Sequence, residues 1–260
     1  MNIFRLVSAA GILMFGFFIS NPVQSAERYE IQMDNIWQTI KSDYQAFYTK
    51  NRMLRAASVY SVGAFMAHTS IDTGFQSWYQ DEVHSAGADD VSSVARLFGE
   101  KTILMPLAAL ASAIEFTDPN SNWATWGQLS LRAYLVGGPV IGVTQPLTGG
   151  SRPRDYHGDA RWRPFEDDNG VSGHSFVAAV PFLALTKMSH LEPWQKNVAF
   201  AASALGAWSR VNDDAHYLSQ AMIGWYVAWE SLNAIEQNDV GDWYQVSPYL
   251  FGDGAGLSLH

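Results

Sequence analysis

Apolar residues recur at helical spacing along most of the chain. From Asn35 onward they fall three or four positions apart with polar residues between them, as at Ile36, Ile40 and Tyr44, which is typical of helices with one buried face. The predicted helices are 35–47, 56–67, 91–115, 123–143, 171–190, 193–210 and 213–236. Strand-like alternation is nearly absent before the C-terminus, so the pattern predicts an all-α fold built as a helical bundle.

One predicted helix differs from the others because its middle, Thr102–Ile114, is apolar on all sides. A helix that is hydrophobic all round is normally buried. We therefore expect this helix at the centre of the fold, with a kink at Pro106.

The C-terminus departs from the helical pattern. Tyr244–Phe251 and Ala255–His260 flank Gly252-Asp253-Gly254, a turn composition that could close a small hairpin. No internal repeat, low-complexity run or linker interrupts the chain before it. One domain over residues 27–260 is therefore predicted.

Residues 1–26 have the composition of a signal peptide. Arg5 precedes an apolar run from Leu6 to Ile19, and Pro22–Ala26 provides a small-residue cleavage site. The run is roughly 14 residues long, short of the about 20 that span a bilayer. We expect an exported protein, periplasmic or secreted, with an uncleaved membrane anchor as the alternative.

Composition narrows the classes of function. The chain has 260 residues, a net charge of −9 and no basic tract, which argues against a nucleic-acid partner because phosphate neutralisation dominates such binding. It has no cysteine, so disulfides and thiolate metal sites are excluded. The 10 Trp, 11 Tyr and 14 Phe residues suit a helical core, and they would also suit a peripheral contact with lipid headgroups.

Three polar blocks carry the candidate chemistry. The first runs from Gln145 to Arg154 and contains Gly149-Gly150-Ser151-Arg152-Pro153. The second is Val171-Ser172-Gly173-His174, which opens a long apolar run. The third is Ser209-Arg210 followed by His216, with Gln220 one helical turn further on.

Together these blocks have the groups needed to bind and transfer a tetrahedral oxyanion. Arg152 and Arg210 can bind it through bidentate hydrogen bonds from their guanidinium groups. The backbone amides of Ser172 and Gly173, at a helix start, can hold a further oxygen. One histidine, His174 or His216, can attack in line while the other protonates the leaving oxygen. Gln220 is placed to orient the His216 ring.

The blocks resemble those of the type 2 phosphatidic acid phosphatases, the PAP2 superfamily, which shares its fold with bacterial class A acid phosphatases and vanadium haloperoxidases. The family pattern is Lys, six residues, Arg-Pro; then Pro-Ser-Gly-His; then Ser-Arg, five residues, His, three residues, Asp. The matching blocks occur in this order over residues 145–220.

The resemblance implies both a fold and a mechanism. The fold would be the helical bundle of this superfamily. His216 would be the nucleophile that forms a phosphohistidine, and His174 the general acid. Arg152, Arg210 and the amides around Ser172 and Gly173 would bind the phosphate oxygens. Hydrolysis of a lipid phosphate or a small organic phosphate would then need no metal or other cofactor.

Three positions depart from the family pattern. Gln145 stands where the pattern has Lys, so the phosphate site has one positive charge less; Arg154, or Arg161 and Arg163, could replace it. Val171 stands in place of Pro. Gln220 replaces the Asp that would orient the nucleophile, and Asp213 could supply the missing carboxylate. An amide can accept the imidazole N–H, but it stabilises an imidazolium less than a carboxylate does.

The sequence therefore leaves three hypotheses open. The first is a metal-independent phosphomonoesterase. The second is a vanadium-dependent haloperoxidase that binds vanadate at the same oxyanion site. The third is a catalytically weakened member of the fold that still binds phosphate, which Gln145 and Gln220 suggest. The specific phosphate ester and the oligomeric state are not fixed by the sequence.

Overall fold

A computed structural model describes residues 36–155, 159–240, 246–251 and 254–259. The predicted signal peptide, residues 1–26, lies outside these ranges. The α-helices in chain order are α1 (Ile36–Phe47), α2 (Lys50–Ala67), α3 (Ile71–Trp78), α4 (Ala86–Ala95), α5 (Lys101–Ala113), α6 (Asn122–Thr148), α7 (Gly173–Thr186), α8 (Pro193–Ser203), α9 (Leu205–Asn212) and α10 (Leu218–Val240). The all-α class predicted from the sequence is confirmed.

Helix α7 forms the centre of the core. All of its residues from Ser175 to Leu185 are buried, and it packs against α6, α8, α9 and α10. Phe176 and Leu183 are at most 2% exposed, and burying an aromatic or aliphatic side chain of this size contributes about 1.5–3 kcal/mol. The helix begins where Ser172 caps it, since Ser172 Oγ accepts the Ser175 N–H at 3.2 Å.

Helix α5 is not the central helix that its apolar composition suggested. Ile103, Leu107 and Leu110 are 55%, 41% and 71% exposed, and they share one face at helical spacing. Only the opposite face, which includes Leu104 and Ala108, is buried. Apolar content alone does not determine which of several apolar helices lies at the centre, and here α7 takes that place. Pro106 lies within the helix.

Helix boundaries follow local chemistry in two places. Helix α6 extends beyond the predicted end at 143 to Thr148, and it stops before Gly149, whose φ of 60° suits glycine. The predicted helix 193–210 is instead two helices, because the chain breaks at Ala204 between α8 and α9. Helix α9 packs against α7, with Ser209 and Arg210 buried.

Charged clusters attach the first two helices to the rest of the bundle. Arg132 of α6 donates to both oxygens of Asp43 in α1 at 2.7 Å, and it also donates to Asp239 of α10. Arg52 of α2 donates to Glu230 of α10 at 2.5 Å. Removing one partner from a buried pair leaves an uncompensated charge, so these contacts hold α1 and α2 in place against α10.

The C-terminal residues form the predicted hairpin. Strands β1 (Val246–Phe251) and β2 (Gly254–Leu259) pair antiparallel, with Val246 opposite Leu259 and Phe251 opposite Gly254.

Within the described ranges, no single helix combines the length and the apolar content needed to cross a membrane. Ala86–Gly99 and Lys101–Phe116 meet that requirement only when taken together, and a bend of 53° separates them.

Candidate active site

His216 lies in the short connection between α9 and α10, and backbone contacts on both sides fix its position. The carbonyl of Arg210 accepts the N–H groups of Ala215 at 2.9 Å and His216 at 3.1 Å. On the other side, Asp72 of α3 caps α10, because its carboxylate accepts the Ser219 N–H at 3.0 Å and the Ser219 hydroxyl at 2.5 Å. The His216 side chain is buried, with 6% exposure.

Gln220 fixes the orientation of the His216 ring. Its Oε1 lies 2.9 Å from His216 Nδ1 and accepts the Tyr217 N–H at 3.1 Å, while its Nε2 donates to the Ser151 carbonyl at 2.9 Å. These partners determine which end of the amide is oxygen, so His216 Nδ1 must be the donor. The neutral ring then has its lone pair on Nε2, the nitrogen required for attack on phosphorus.

The environment keeps His216 neutral. Burial lowers its pKa to about 3, the hydrogen bond to Gln220 opposes this shift, and the positive charges of Arg152 and Arg210 lower the pKa further. The free ring is therefore unprotonated at all pH values well above 3, and its lone pair is available.

Arg210 pairs with Asp213, the candidate replacement for the carboxylate that is missing behind His216. Arg210 Nη2 lies 2.5 Å from Asp213 Oδ2, and Asp213 Oδ1 accepts the Ser92 hydroxyl at 2.5 Å. Asp213 therefore orients Arg210 and does not replace the missing acid behind His216. Burial lowers the pKa of Arg210, and Asp213 opposes this shift.

Arg152 is fixed by the loop that precedes α7. Its Nε donates to Asn169 Oδ1 at 2.8 Å, and Asn169 Nδ2 donates to Asp167 at 2.6 Å. Within the described ranges, the terminal nitrogens of Arg152 form no hydrogen bond, so they are available to an anion. Both guanidiniums lie near enough to His216 to affect its titration.

The start of α7 supplies backbone donors, with one correction to the prediction. The Ser172 N–H donates to the carbonyl of Gln220 at 3.0 Å, so it is not free to bind phosphate. The Ser175 and Phe176 N–H groups donate to the side chain and carbonyl of Ser172. The amides of Gly173 and His174 have no partner among the described residues, and they occupy the anion-binding end of the helix.

Gln145 supports the loop beside this helix start. Its Nε2 donates to the Val171 carbonyl at 2.9 Å, and a Cβ on Gly173 would lie 3.4 Å from that nitrogen. Gln145 thus lies beside the helix start but brings no charge to the site, and its role as a phosphate-binding residue stays a prediction. Val171, at the family's Pro position, is fully buried.

The cations proposed to replace the missing lysine differ in their surroundings. Arg161 and Arg163 both donate to Asp159, so they are paired within their own loop. Arg154 is 48% exposed, and its charge lowers the pKa of Arg210. Arg96, which no sequence motif indicated, has the same effect on Arg210. Arg154 and Arg96 therefore add positive potential near the site.

His174 lies beside Glu100, which no sequence motif indicated. Its Nε2 lies 3.4 Å from Glu100 Oε1, and both side chains are 42% exposed. Burial lowers the pKa of His174, Arg210 lowers it further, and Glu100 opposes both. Glu100 and Arg96 precede the first block by more than forty residues, and no local pattern links them to it.

Two helices that carry residues of the three blocks, α6 with Gln145 and α10 with Gln220, also line an apolar cavity. It has a volume of about 420 Å³ between α1, α2, α6 and α10. Its lining includes Met53, Tyr60, Val140, Val143, Tyr226 and Val227. Tyr226 follows Gln220 by six residues on α10, which corresponds to about 9 Å along the helix axis. The described residues contain no group of three or more His, Asp or Glu side chains placed to hold a metal ion.

The all-helical bundle thus brings two arginines, two histidines and a helix N-terminus within electrostatic reach of one another. Residues 129–237 match the family model described as the PAP2 superfamily. This range begins within α6 and ends in α10, and it contains all three polar blocks, so this part of the chain is similar to the PAP2 superfamily. Neither the search of curated proteins nor that of solved structures gives a match. The match suggests an activity of the phosphatase type.

Proposed function

We propose that the chain is a phosphomonoesterase that works through a phosphohistidine at His216. One observation carries the proposal most directly. His216 is buried and neutral, and Gln220 holds its Nδ1 at 2.9 Å, so the Nε2 lone pair is presented near two guanidiniums. A weak nucleophile becomes effective when it is desolvated, oriented and placed beside groups that bind the transferring phosphoryl.

The proposed first step transfers the phosphoryl group to the protein. His216 Nε2 forms a bond to phosphorus while the bond to the ester oxygen breaks, and His174 gives its proton to the departing alkoxide. Arg152, Arg210 and the amides of Gly173 and His174 hold the non-bridging oxygens as charge moves through the transition state. The side-chain oxygen of Gln220 accepts the Nδ1–H and stabilises the positive ring.

The second step returns the protein to its starting state. Water attacks the phosphohistidine, neutral His174 takes the proton of that water, and the bond between nitrogen and phosphorus breaks. Inorganic phosphate leaves, with His216 neutral and His174 protonated again. The cycle consumes one water and one ester and releases one alcohol and one phosphate.

The apolar cavity between α1, α2, α6 and α10 favours an ester with an apolar tail. A lipid phosphate is therefore the first substrate class to test, and a small organic phosphate the second. The exposed apolar face of α5 suits peripheral contact with a lipid surface. Export stays part of the proposal on the composition of residues 1–26, and N-terminal sequencing of the protein from its native compartment would test it.

The experiment measures inorganic phosphate released from a long-chain alkyl phosphate in detergent micelles and from p-nitrophenyl phosphate. Each substrate is tested with the native protein and with His216→Ala, with and without a chelator. We expect release from at least one substrate that survives chelation and disappears in His216→Ala. No release from either substrate, in a folded protein, would overturn the proposed function.

A weakened phosphate-binding protein is the second candidate, favoured by Gln145 and Gln220 in place of charged residues. Such a protein would bind vanadate, which mimics the pentacoordinate phosphoryl group, without measurable turnover. Tight vanadate binding together with no phosphate release would select this candidate. Oxidation of halide by peroxide after vanadate loading would instead select the haloperoxidase hypothesis.

Arg152→Lys and Arg210→Lys are each expected to weaken inhibition by vanadate by about tenfold to a hundredfold. A lysine keeps the charge but cannot reproduce the planar fork, and a hydrogen bond to a charged group is worth about 1.5–3 kcal/mol. The inhibition constant is the measurement. Arg161→Lys is the matched control, since Arg161 pairs with Asp159 and is 63% exposed. Unchanged inhibition in both site variants would show that these arginines do not bind the phosphate group.

A further inference from the structure

The segment from Arg96 to Glu100 forms a wall of the site that no motif indicated. Its 3₁₀ turn, Arg96–Gly99, packs against α7 and α9, the helices that carry His174 and Arg210. Gly99 touches His174 directly, since a Cβ there would lie 2.8 Å from His174 Cδ2 and 3.1 Å from its carbonyl oxygen. Only glycine allows this approach, and it brings the next residue, Glu100, beside the imidazole.

The backbone of Glu100 is itself fixed. Glu100 precedes α5, and its carbonyl accepts the N–H groups of Ile103 at 3.0 Å and Leu104 at 2.9 Å. Its Oε1 lies 3.4 Å from His174 Nε2. A carboxylate on one ring nitrogen of a histidine fixes the tautomer and the orientation of the ring, and thereby defines the other nitrogen as the reactive one.

The other charged groups around His174 all work against its protonation. Arg210 of α9, Arg152 of the loop after α6 and His216 before α10 are positive or become positive during the reaction, and Gln145 of α6 is neutral. Burial and Arg210 lower the pKa of His174, and Glu100 raises it. A general acid must carry its proton when the substrate binds. The Glu100 carboxylate favours this protonated form of His174.

We propose that Glu100 is a positioning residue for His174, holding the ring by Nε2 so that Nδ1 gives a proton to the leaving oxygen and later takes one from water. The inference rests on the proposed function. The Nε2–H stays on the ring in both steps, so a single proton on Nδ1 moves out and back. Glu100 itself touches neither phosphorus nor the departing oxygen.

Glu100→Gln tests this inference, because it keeps the shape and removes the charge. The ring nitrogens of His174 are titrated by ¹⁵N NMR without substrate, and kcat is measured against pH for an alkyl phosphate and for p-nitrophenyl phosphate. Glu82→Gln, an exposed carboxylate in the π-helical turn Tyr79–Val83, is the matched control. Glu100→Asp, which keeps the charge on a shorter arm, is the conservative variant.

In Glu100→Gln we expect His174 to titrate at lower pH and the alkaline limb of kcat for the alkyl phosphate to move with it. Turnover of that substrate at alkaline pH should fall about tenfold, while p-nitrophenyl phosphate, whose leaving group needs little protonation, should change little. Glu82→Gln should match the native protein, and Glu100→Asp should recover part of the titration shift.

Two results would overturn the inference. One is an unchanged His174 titration in Glu100→Gln. The other is an equal loss on both substrates with no movement of the pH limb, which indicates a merely structural role. If the native protein hydrolyses neither substrate, the proposed function fails, and the NMR titration still decides whether Glu100 holds the His174 ring.

Discussion

His216→Ala is expected to abolish phosphate release from every substrate, with a loss on the order of 10⁴-fold or more in kcat. The side chain is the only group in the proposed mechanism that bonds to phosphorus. His174→Ala should lose much less activity on p-nitrophenyl phosphate, because that leaving group departs without a proton. On an alkyl phosphate the two variants should be similarly impaired.

The comparison of the two histidines assigns their roles independently of the absolute rates. Steady-state kcat on both substrates is the measurement, and circular dichroism controls for folding of each variant. If His174→Ala and His216→Ala lose equally on p-nitrophenyl phosphate, the division into nucleophile and acid is wrong.

Gln220→Glu is expected to raise kcat by roughly tenfold. Glutamate has the length of glutamine, so a carboxylate oxygen can take the place of Oε1, 2.9 Å from His216 Nδ1. A negative charge there raises the pKa of His216 and stabilises the positive ring of the phosphohistidine, and electrostatic effects at such positions are typically worth 10²–10⁴-fold. The shorter Gln220→Asp restores the family's residue and should act in the same direction.

The same substitution should lower the stability of the fold. Gln220 Nε2 donates to the buried Ser151 carbonyl at 2.9 Å, and a carboxylate cannot. Leaving a buried acceptor unpaired costs about 1–3 kcal/mol, which denaturant unfolding would detect. Asp213→Asn is the informative comparison: Asp213 binds Arg210 rather than His216, so this variant should weaken vanadate binding without moving the His216 titration. A fall in kcat for Gln220→Glu, with the His216 pKa unchanged, would contradict the account of this position.

The sequence predicted those parts of the site that depend on local chemistry. Helix α7 begins at Gly173, where a helix start was predicted at Ser172 and Gly173, and the i, i+4 spacing of His216 and Gln220 produces their hydrogen bond. Each follows from residues within a few positions of one another. The order and spacing of the three blocks carried the resemblance to the PAP2 superfamily, whose model matches residues 129–237.

The parts that the sequence did not predict depend on contacts between distant segments. The Ser172 N–H is not available to an anion, because it donates to the backbone carbonyl of Gln220 on another helix. Asp213 pairs with Arg210 because Ser92 holds its other oxygen. Helix α5 could not be placed from its composition, since α7 is just as apolar and only one of them fills the centre. Glu100 reaches His174 through the close approach of Gly99, which no periodicity indicates.

The central claim is that His216 forms a covalent bond to phosphorus, and trapping the phosphorylated protein tests it most directly. The native protein is mixed with p-nitrophenyl phosphate, quenched in alkali within the first turnover, digested and mapped by mass spectrometry, with His216→Ala as the control. The account predicts one phosphoryl group on the peptide that contains His216, stable to alkali and labile to acid, formed at least as fast as turnover and absent from the variant. A phosphoryl group on another residue, or phosphate release without a phosphorylated protein in the first turnover, would contradict it.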